Sequence, residues 1–311
     1  MEQPKINPYI PVIIGVISVS ASAIFVKLSS APSGIIAFYR LFFSVLLMLP
    51  VFLTKYISEL RLITKKDWFF SVLAGVFLAF HFILWFESLN YTSVASSTVL
   101  VTLQPIFAFV GTYYFFKETI SVKTILSGLV AVGGSVMISW GDFQISGIAL
   151  YGDILALIAC ALITVYLLFG QNVRKRLSLI TYTFVVYFMS SATLFFYILT
   201  EKQPLFPYKA SDWLYFILLA LVPNLMGHTL FNWSLKWLST STISVAILFE
   251  PVGATILAYF LLHERTIWTQ IVGGIIVISG ITIFATGERK IKSGVKNKVL
   301  EEGLHENSQG E

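Results

Sequence analysis

Ten long apolar segments, separated by short polar breaks, occupy almost the whole chain between residues 10 and 286. A bilayer's hydrocarbon core is about 30 Å thick, and an α-helix needs roughly 20 apolar residues to cross it. Only 12% of the residues are charged and the mean hydropathy is +0.82, whereas soluble domains carry about 25% charged residues. The sequence therefore predicts an all-α polytopic membrane protein. Its predicted spans are residues 10–27, 34–53, 68–88, 97–116, 122–140, 153–170, 180–199, 213–235, 242–262 and 267–286.

Basic residues concentrate on one side of the predicted bundle. With ten spans, both termini share a side with four loops, at residues 54–67, 117–121, 171–179 and 236–241. These loops hold Lys55, Arg61, Lys65, Lys66, Lys117, Arg174, Lys175, Arg176 and Lys236, whereas the other side holds Lys27, Lys202, Lys209 and Arg265. Short cytoplasmic loops carry the excess of lysine and arginine, so we expect both termini to be cytoplasmic and the protein to lie in the cell (inner or plasma) membrane.

The sequence also repeats itself at an offset of 146 residues. The matching pairs are Ser88 and Ser234, Ser93 and Ser239, Pro105 and Pro251, Tyr113 and Tyr259, Glu118 and Glu264, Gly128 and Gly274, and Gly134 and Gly280. The two halves, 1–145 and 146–288, would contain five spans each, so the second half would enter the membrane from the opposite face. Such inverted repeats are a signature of secondary transporters. The polar tail, 289–311, is predicted to be a disordered cytoplasmic end.

The motifs of both halves resemble a known family. They include "FYR" at 38–40, "SLNYTSVASSTVLVTLQPIFAFVGTYYFFKETIS" at 88–121 and "SLKWLSTSTISVAILFEPVGATILAYFLLHERT" at 234–266. Together they resemble the EamA group of the drug/metabolite transporter superfamily. The resemblance implies ten helices, cytoplasmic termini and transport of a small metabolite through a central cavity between the halves. Many characterised members of that group export amino acids or related metabolites.

Glu250 is the candidate functional residue with the strongest physical basis. It lies about eight residues, roughly 12 Å, into the ninth span. A charged carboxylate at that depth costs at least about 2.5 kcal/mol, so we expect Glu250 to be protonated, paired or facing water. It is a candidate proton carrier or a counter-ion for an ammonium group; the alternative is a hydrogen bond that fixes helix packing. Gln104 is its neutral counterpart, either lining the same cavity or bonding between helices.

Arg40 and two prolines are further candidates. Arg40 lies about six residues into the second span, where its guanidinium suits a carboxylate. It would clamp an anionic substrate group or partner Glu250; alternatively it forms a structural pair or lies nearer the interface. Pro105 and Pro251 are predicted to kink their helices at equivalent depths and so to assist gating, because proline removes a backbone hydrogen bond.

Spans three and eight carry polar residues at matching depth. His81 and His228 could relay protons, since imidazole titrates near neutral pH, or could make ordinary interhelical hydrogen bonds. Asn224 and Asn232 flank His228 by four residues on each side and share its helix face, which suggests a cavity wall. Trp85 could stack on a substrate or serve packing. Glu118 and Glu264 end their helices, and we interpret both as structural.

These features favour a secondary active transporter that works by alternating access on a small polar metabolite such as an amino acid. Export is the expected direction, and protons are a candidate coupling ion. The sequence has one cysteine and lacks HExxH, GxSxG, paired aspartates and GxxxxGK[ST], so we expect no enzyme activity, cofactor or metal. The alternatives are an intramembrane enzyme acting on a lipid or lipid-linked substrate, and a channel. The expected partners are a small-molecule substrate and the bilayer, not nucleic acid, with the protein a monomer or homodimer.

Overall fold

The structure, a computed structural model, describes residue 4 and residues 6–117, 121–140, 147–263, 267–269 and 271–283. All regular secondary structure within these residues is helical, which confirms the predicted all-α fold. Eight helices there are long and apolar enough to cross a membrane, and two more are shorter. The ten are α1 Tyr9–Leu28, α2 Ser33–Leu62, α3 Lys65–Ser88, α4 Val94–Phe116, α5 Val122–Ser139, α6 Gly147–Val173, α7 Leu179–Thr200, α8 Ala210–Ser234, α9 Thr240–Leu261 and α10 Ile271–Ile283. Glu118, Glu264 and the tail lie outside the described residues.

Serine and threonine residues in the loops determine where several helices begin. The hydroxyl oxygen of Ser93 accepts the backbone N–H of Ser96 before α4, and that of Ser239 accepts the N–H of Thr242 before α9, at 3.0 and 3.2 Å. Such caps satisfy one of the backbone donors left free at a helix start. Ser93 and Ser239 are a matching pair of the 146-residue repeat, so the repeat preserves the start of both helices.

Helices α4 and α9 are each broken in the middle. In α4 the segments are Val94–Val101 and Gln104–Phe116, and in α9 they are Thr240–Ile247 and Glu250–Leu261. Pro105 and Pro251 are the second residues of the later segments, so the predicted kinks are complete interruptions just before each proline. Proline fits the first turn of a helix, where its missing N–H has no intrahelical partner in any case.

Helix α8 contains a π-helical segment, Ala220–His228, that has no counterpart in α3. The dipeptide Asp67–Trp68 at the start of α3 matches Asp212–Trp213 of α8 at an offset of 145, whereas Ser88 matches Ser234 at 146. The second half therefore has one extra residue here. A π-helix bonds each N–H to the carbonyl five residues earlier and so accommodates such an insertion.

Helices α5 and α10 pack through matching glycines. A Cβ placed on Gly134 would lie 2.7 Å from the carbonyl oxygen of Gly273, and one on Gly280 would lie 2.8 Å from the backbone nitrogen of Ala131. Small residues let membrane helices approach this closely, which strengthens their van der Waals contact.

The helices that pack together most closely come from different halves of the sequence. Helix α1 packs against α8 and α9, and we call these three the first bundle. Helix α6 packs against α3 and α4, and we call these three the second bundle. Each bundle thus combines helices of both repeats, while α2 and α7 pack against each other. The central cavity lies between the two bundles.

Candidate substrate cavity

The cavity is lined by two residues from each of six helices. They are Val19 and Ser22 of α1, His81 and Trp85 of α3, Val101 and Gln104 of α4, Ile163 and Leu167 of α6, His228 and Phe231 of α8, and Ile247 and Glu250 of α9. Three pairs match at the repeat offset of 146: Trp85 with Phe231, Val101 with Ile247, and Gln104 with Glu250. The cavity therefore lies on the axis that relates the two halves.

The cavity is closed in this conformation. The cavity volume open to a water-sized molecule is only about 20 Å³, room for about one water. Gln104, Glu250 and His228 keep only 4%, 6% and 7% of their surface exposed. A small organic molecule would therefore enter only after the bundles separate.

Among the described residues that line the cavity, only Glu250 is an acid or a strong base. It is the first residue of the later segment of α9, and its backbone carbonyl lies 3.4 Å from the hydroxyl of Ser20 in α1. Its carboxyl group is close enough to Arg40 for electrostatic interaction. A buried carboxylate in this position interacts strongly with any cation that enters, because the surroundings screen charge poorly.

Gln104 occupies the equivalent position in α4. Its side-chain Nε2 donates a long hydrogen bond, 3.5 Å, to the carbonyl oxygen of Val101, the last residue of the earlier segment of α4, whose carbonyl is left free by the end of that segment. Its Oε1 is buried and has no partner among the described residues. Ile247 ends the earlier segment of α9 at the matching place, beside Glu250.

Arg40 lies behind the cavity wall rather than on it. Its Nη1 donates to the hydroxyl of Ser22 at 2.8 Å, and its Nε donates to Oδ1 of Asn224 at 3.3 Å. The guanidinium carbon lies 4.1 Å from the centre of the Phe82 ring, a cation–π contact. Its Nη2 is buried with no hydrogen-bond partner among the described residues. Arg40 thus places a fixed positive charge one layer behind the site.

The three polar residues of α8 that the sequence places on one helix face, Asn224, His228 and Asn232, do not all line the cavity. Only His228 lines the cavity, whereas Asn224 donates to the hydroxyl of Ser44 at 2.9 Å and Asn232 accepts from the hydroxyl of Tyr166 at 2.8 Å. Asn224 and His228 lie in the π-helical segment, whose turns are wider than those of an α-helix, so the four-residue spacing does not place them on one face. The two asparagines instead join α8 to α2 and α6.

The aromatic and imidazole groups complete the wall. Nδ1 of His81 lies 2.9 Å from the carbonyl of Ala159, so this nitrogen carries a proton and donates it to that carbonyl. The His81 and Trp85 rings stack with centroids 5.7 Å apart. Trp85 Nε1 and His228 Nδ1 are buried and lack partners among the described residues. Buried polar atoms are normally paired, so these atoms are available to a ligand.

Several lining residues carry no sequence signal. Val19, Ser22, Ile163 and Leu167 lie in helices that are apolar on every side, where spacing cannot distinguish a cavity face from a lipid face. Within the described residues, no three His, Cys, Asp or Glu side chains come together in a way that could hold a metal ion.

Comparison with known proteins gives a consistent picture. A sequence profile described as the EamA-like transporter family matches residues 7–140 and again 150–286. An uncharacterized transporter of Archaeoglobus fulgidus is 23% identical over 275 residues, which cover 88% of this chain and 94% of the relative. The uncharacterized transporter YoaV of Bacillus subtilis is 25% identical over 91% of this chain and 100% of its own. A solved crystal structure with 16% identity covers 91% of this chain and 98% of its own, with a TM-score of 0.73.

Proposed function

Since this chain belongs to the EamA-like transporter family, and is therefore a multi-pass membrane transporter, we propose that it is a secondary active transporter of a small polar metabolite. It works by alternating access, in which the two bundles separate first at one face and then at the other. The observation that carries this proposal is the closed cavity between the bundles, lined at equivalent positions by both repeats. The family and its relatives' names also favour a transporter over an intramembrane enzyme.

The lining favours a substrate with a protonated amine, such as an amino acid or a related compound. The Glu250 carboxylate and the unpartnered Oε1 of Gln104 are both hydrogen-bond acceptors. An ammonium group offers three donors and a positive charge, and would satisfy both. Val101, Ile163 and Leu167 provide an apolar surface for the rest of the molecule.

Proton coupling follows from the same carboxyl group. Glu250 binds either a proton or the substrate's ammonium group, and the two compete for one site. Entry of a proton from one face then drives release of substrate, which gives proton-coupled exchange. With both termini cytoplasmic in the cell membrane, as the basic loops indicate, an inward proton gradient drives export.

Two measurements, made one after the other, test this function. Metabolite levels inside and outside cells that lack or overproduce the protein name the transported compound, because an exporter depletes it inside. The purified protein in proteoliposomes should then show counterflow, in which unlabelled compound inside the vesicles accelerates uptake of labelled compound. Uptake without acceleration would indicate a channel and would contradict the proposal.

A further inference from the structure

Two basic residues lie near the ends of the matching helices α1 and α6, one residue out of register at the 146-residue offset, and each joins the two bundles. Lys27 lies in the last turn of α1, and Arg174 directly follows α6. Lys27 Nζ donates to the carbonyl oxygen of Leu89, just after α3, at 2.5 Å. Arg174 Nε donates to the carbonyl oxygen of Asn232, near the end of α8, at 2.9 Å. Cations bind favourably to carbonyl groups at the ends of helices.

These contacts lie at opposite faces of the membrane. Helices α6 and α8 both end at the face where the chain begins, the N-terminal face, as the hydrogen bond from Ser234 to the carbonyl of Pro8 illustrates. Helices α1 and α3 both end at the other face. Each contact connects a helix of the first bundle to a helix of the second. Since the cavity lies between the bundles, each contact closes one of its two exits.

The N-terminal exit is the more strongly closed. Arg174 is 3% exposed, whereas Lys27 is exposed. Burial lowers the pKa of the Arg174 guanidinium to about 10, so it remains charged at neutral pH. Two further hydrogen bonds join the bundles near this exit. The backbone N–H of Thr240 donates to Gln171 Oε1 at 2.7 Å, and the hydroxyls of Thr112 and Ser241 lie 2.8 Å apart.

The matching positions at the opposite exit have lost one of these contacts. The repeat equivalents of Thr112 and Ser241 are Ala258 and Ala95, both buried. An alanine side chain cannot form a hydrogen bond, so these two positions supply no cross-bundle hydrogen bond at the opposite exit.

We propose that Arg174 and Lys27 are the gate residues of the transporter, with Arg174 at the N-terminal exit and Lys27 at the opposite exit. The proposal rests on the alternating access proposed above. Because the Arg174 gate has a buried charge and additional cross-bundle hydrogen bonds, the empty protein opens more readily toward the face opposite its N-terminus.

The gates can be tested by the accessibility of the cavity from each face. Cys160 is replaced by serine, and Val101→Cys places a probe in the lining. A membrane-impermeant maleimide is added to right-side-out and to inside-out vesicles, so that the cysteine is labelled from one face of the membrane at a time. Arg174→Gln should raise labelling from the N-terminal face by about tenfold or more, as expected for the loss of a buried hydrogen bond from a charged donor. Lys27→Gln should raise labelling from the other face about twofold to fivefold, because exposed charge contacts are weaker.

Matched controls distinguish the loss of a gate contact from the mere loss of a positive charge or a general destabilisation of the protein. Lys175 lies beside Arg174 but contacts the Phe116 ring within the second bundle, at 5.4 Å. Lys202 is an exposed lysine at the same face as Lys27. Lys175→Gln and Lys202→Gln should leave labelling unchanged. Equal increases at both faces in either gate variant, or none, would overturn the gate assignment. Counterflow in the unmodified protein tests alternating access separately, so the two proposals fail independently.

Discussion

The two five-helix halves share their scaffold and differ at the centre. Both contain a broken helix that starts again just before a proline, a serine cap at equivalent positions, and a glycine that brings α5 and α10 together. The halves differ where the cavity lies. Gln104 in one half matches Glu250 in the other, Trp85 matches Phe231, and α8 has a π-helical segment where α3 is regular. The common features support the fold, and the differences identify the residues that we expect to carry the chemistry.

The largest expected effect on transport comes from replacing Glu250, the residue whose charge distinguishes the two halves at the cavity. Glu250→Gln gives both halves the same amide, which can bond to an ammonium group but carries no charge. Hydrogen bonds to a charged group contribute about 1.5–3 kcal/mol, so substrate affinity should fall about tenfold to a hundredfold. Flux into proteoliposomes should also lose its dependence on a pH gradient. An unchanged pH profile would exclude Glu250 as the proton carrier.

A second prediction tests the close packing of α5 against α10, which matching glycines of the two halves provide. Gly134→Ala forces a methyl group against the backbone of α10 and should destabilise the protein by about 1–3 kcal/mol, the usual cost of overpacking. Its matched control is Gly133→Ala, since a Cβ there would have no atom within 4 Å. The measurement is thermal unfolding of the detergent-solubilised protein. Gly280→Ala should lower the midpoint as much as Gly134→Ala does, and a clearly smaller change would show that the halves pack differently.

The smallest expected effect concerns the neutral partner at the centre. Gln104→Leu removes the unpartnered Oε1 and the bond to Val101 but leaves the charge of the site intact. A neutral hydrogen bond contributes about 0.5–1.5 kcal/mol, so affinity should fall about twofold to tenfold while the pH profile keeps its shape. Counterflow over a range of pH measures both quantities. A loss as large as that of Glu250→Gln would mean that the amide carries an equal share of binding.

Much of this architecture can be predicted from the sequence because lipid imposes strict demands on it. The apolar segments locate the spans, although α6 begins at Gly147 rather than near residue 153. Glu250, Gln104, His81 and His228 can be found because polar groups are rare at that depth.

Other features of the site need the three-dimensional structure. Arg40 lies behind the wall because Ser22 and Asn224 hold it there, and no spacing in the sequence reveals that pairing. The apolar lining residues look the same in sequence as residues that face lipid. The π-helical segment did leave a signal, namely the change of the repeat offset from 145 at Asp212 to 146 at Ser234, but its meaning depends on knowing the helix geometry.

The nearly filled cavity has a consequence for the membrane around it. Each elementary charge that crosses a membrane held at 100 mV releases about 2.3 kcal/mol, so even a narrow open path for ions would discharge the voltage on which other transport depends. Here side chains from six helices fill the passage at rest. In this conformation the packed cavity therefore offers ions no open path that would discharge the membrane.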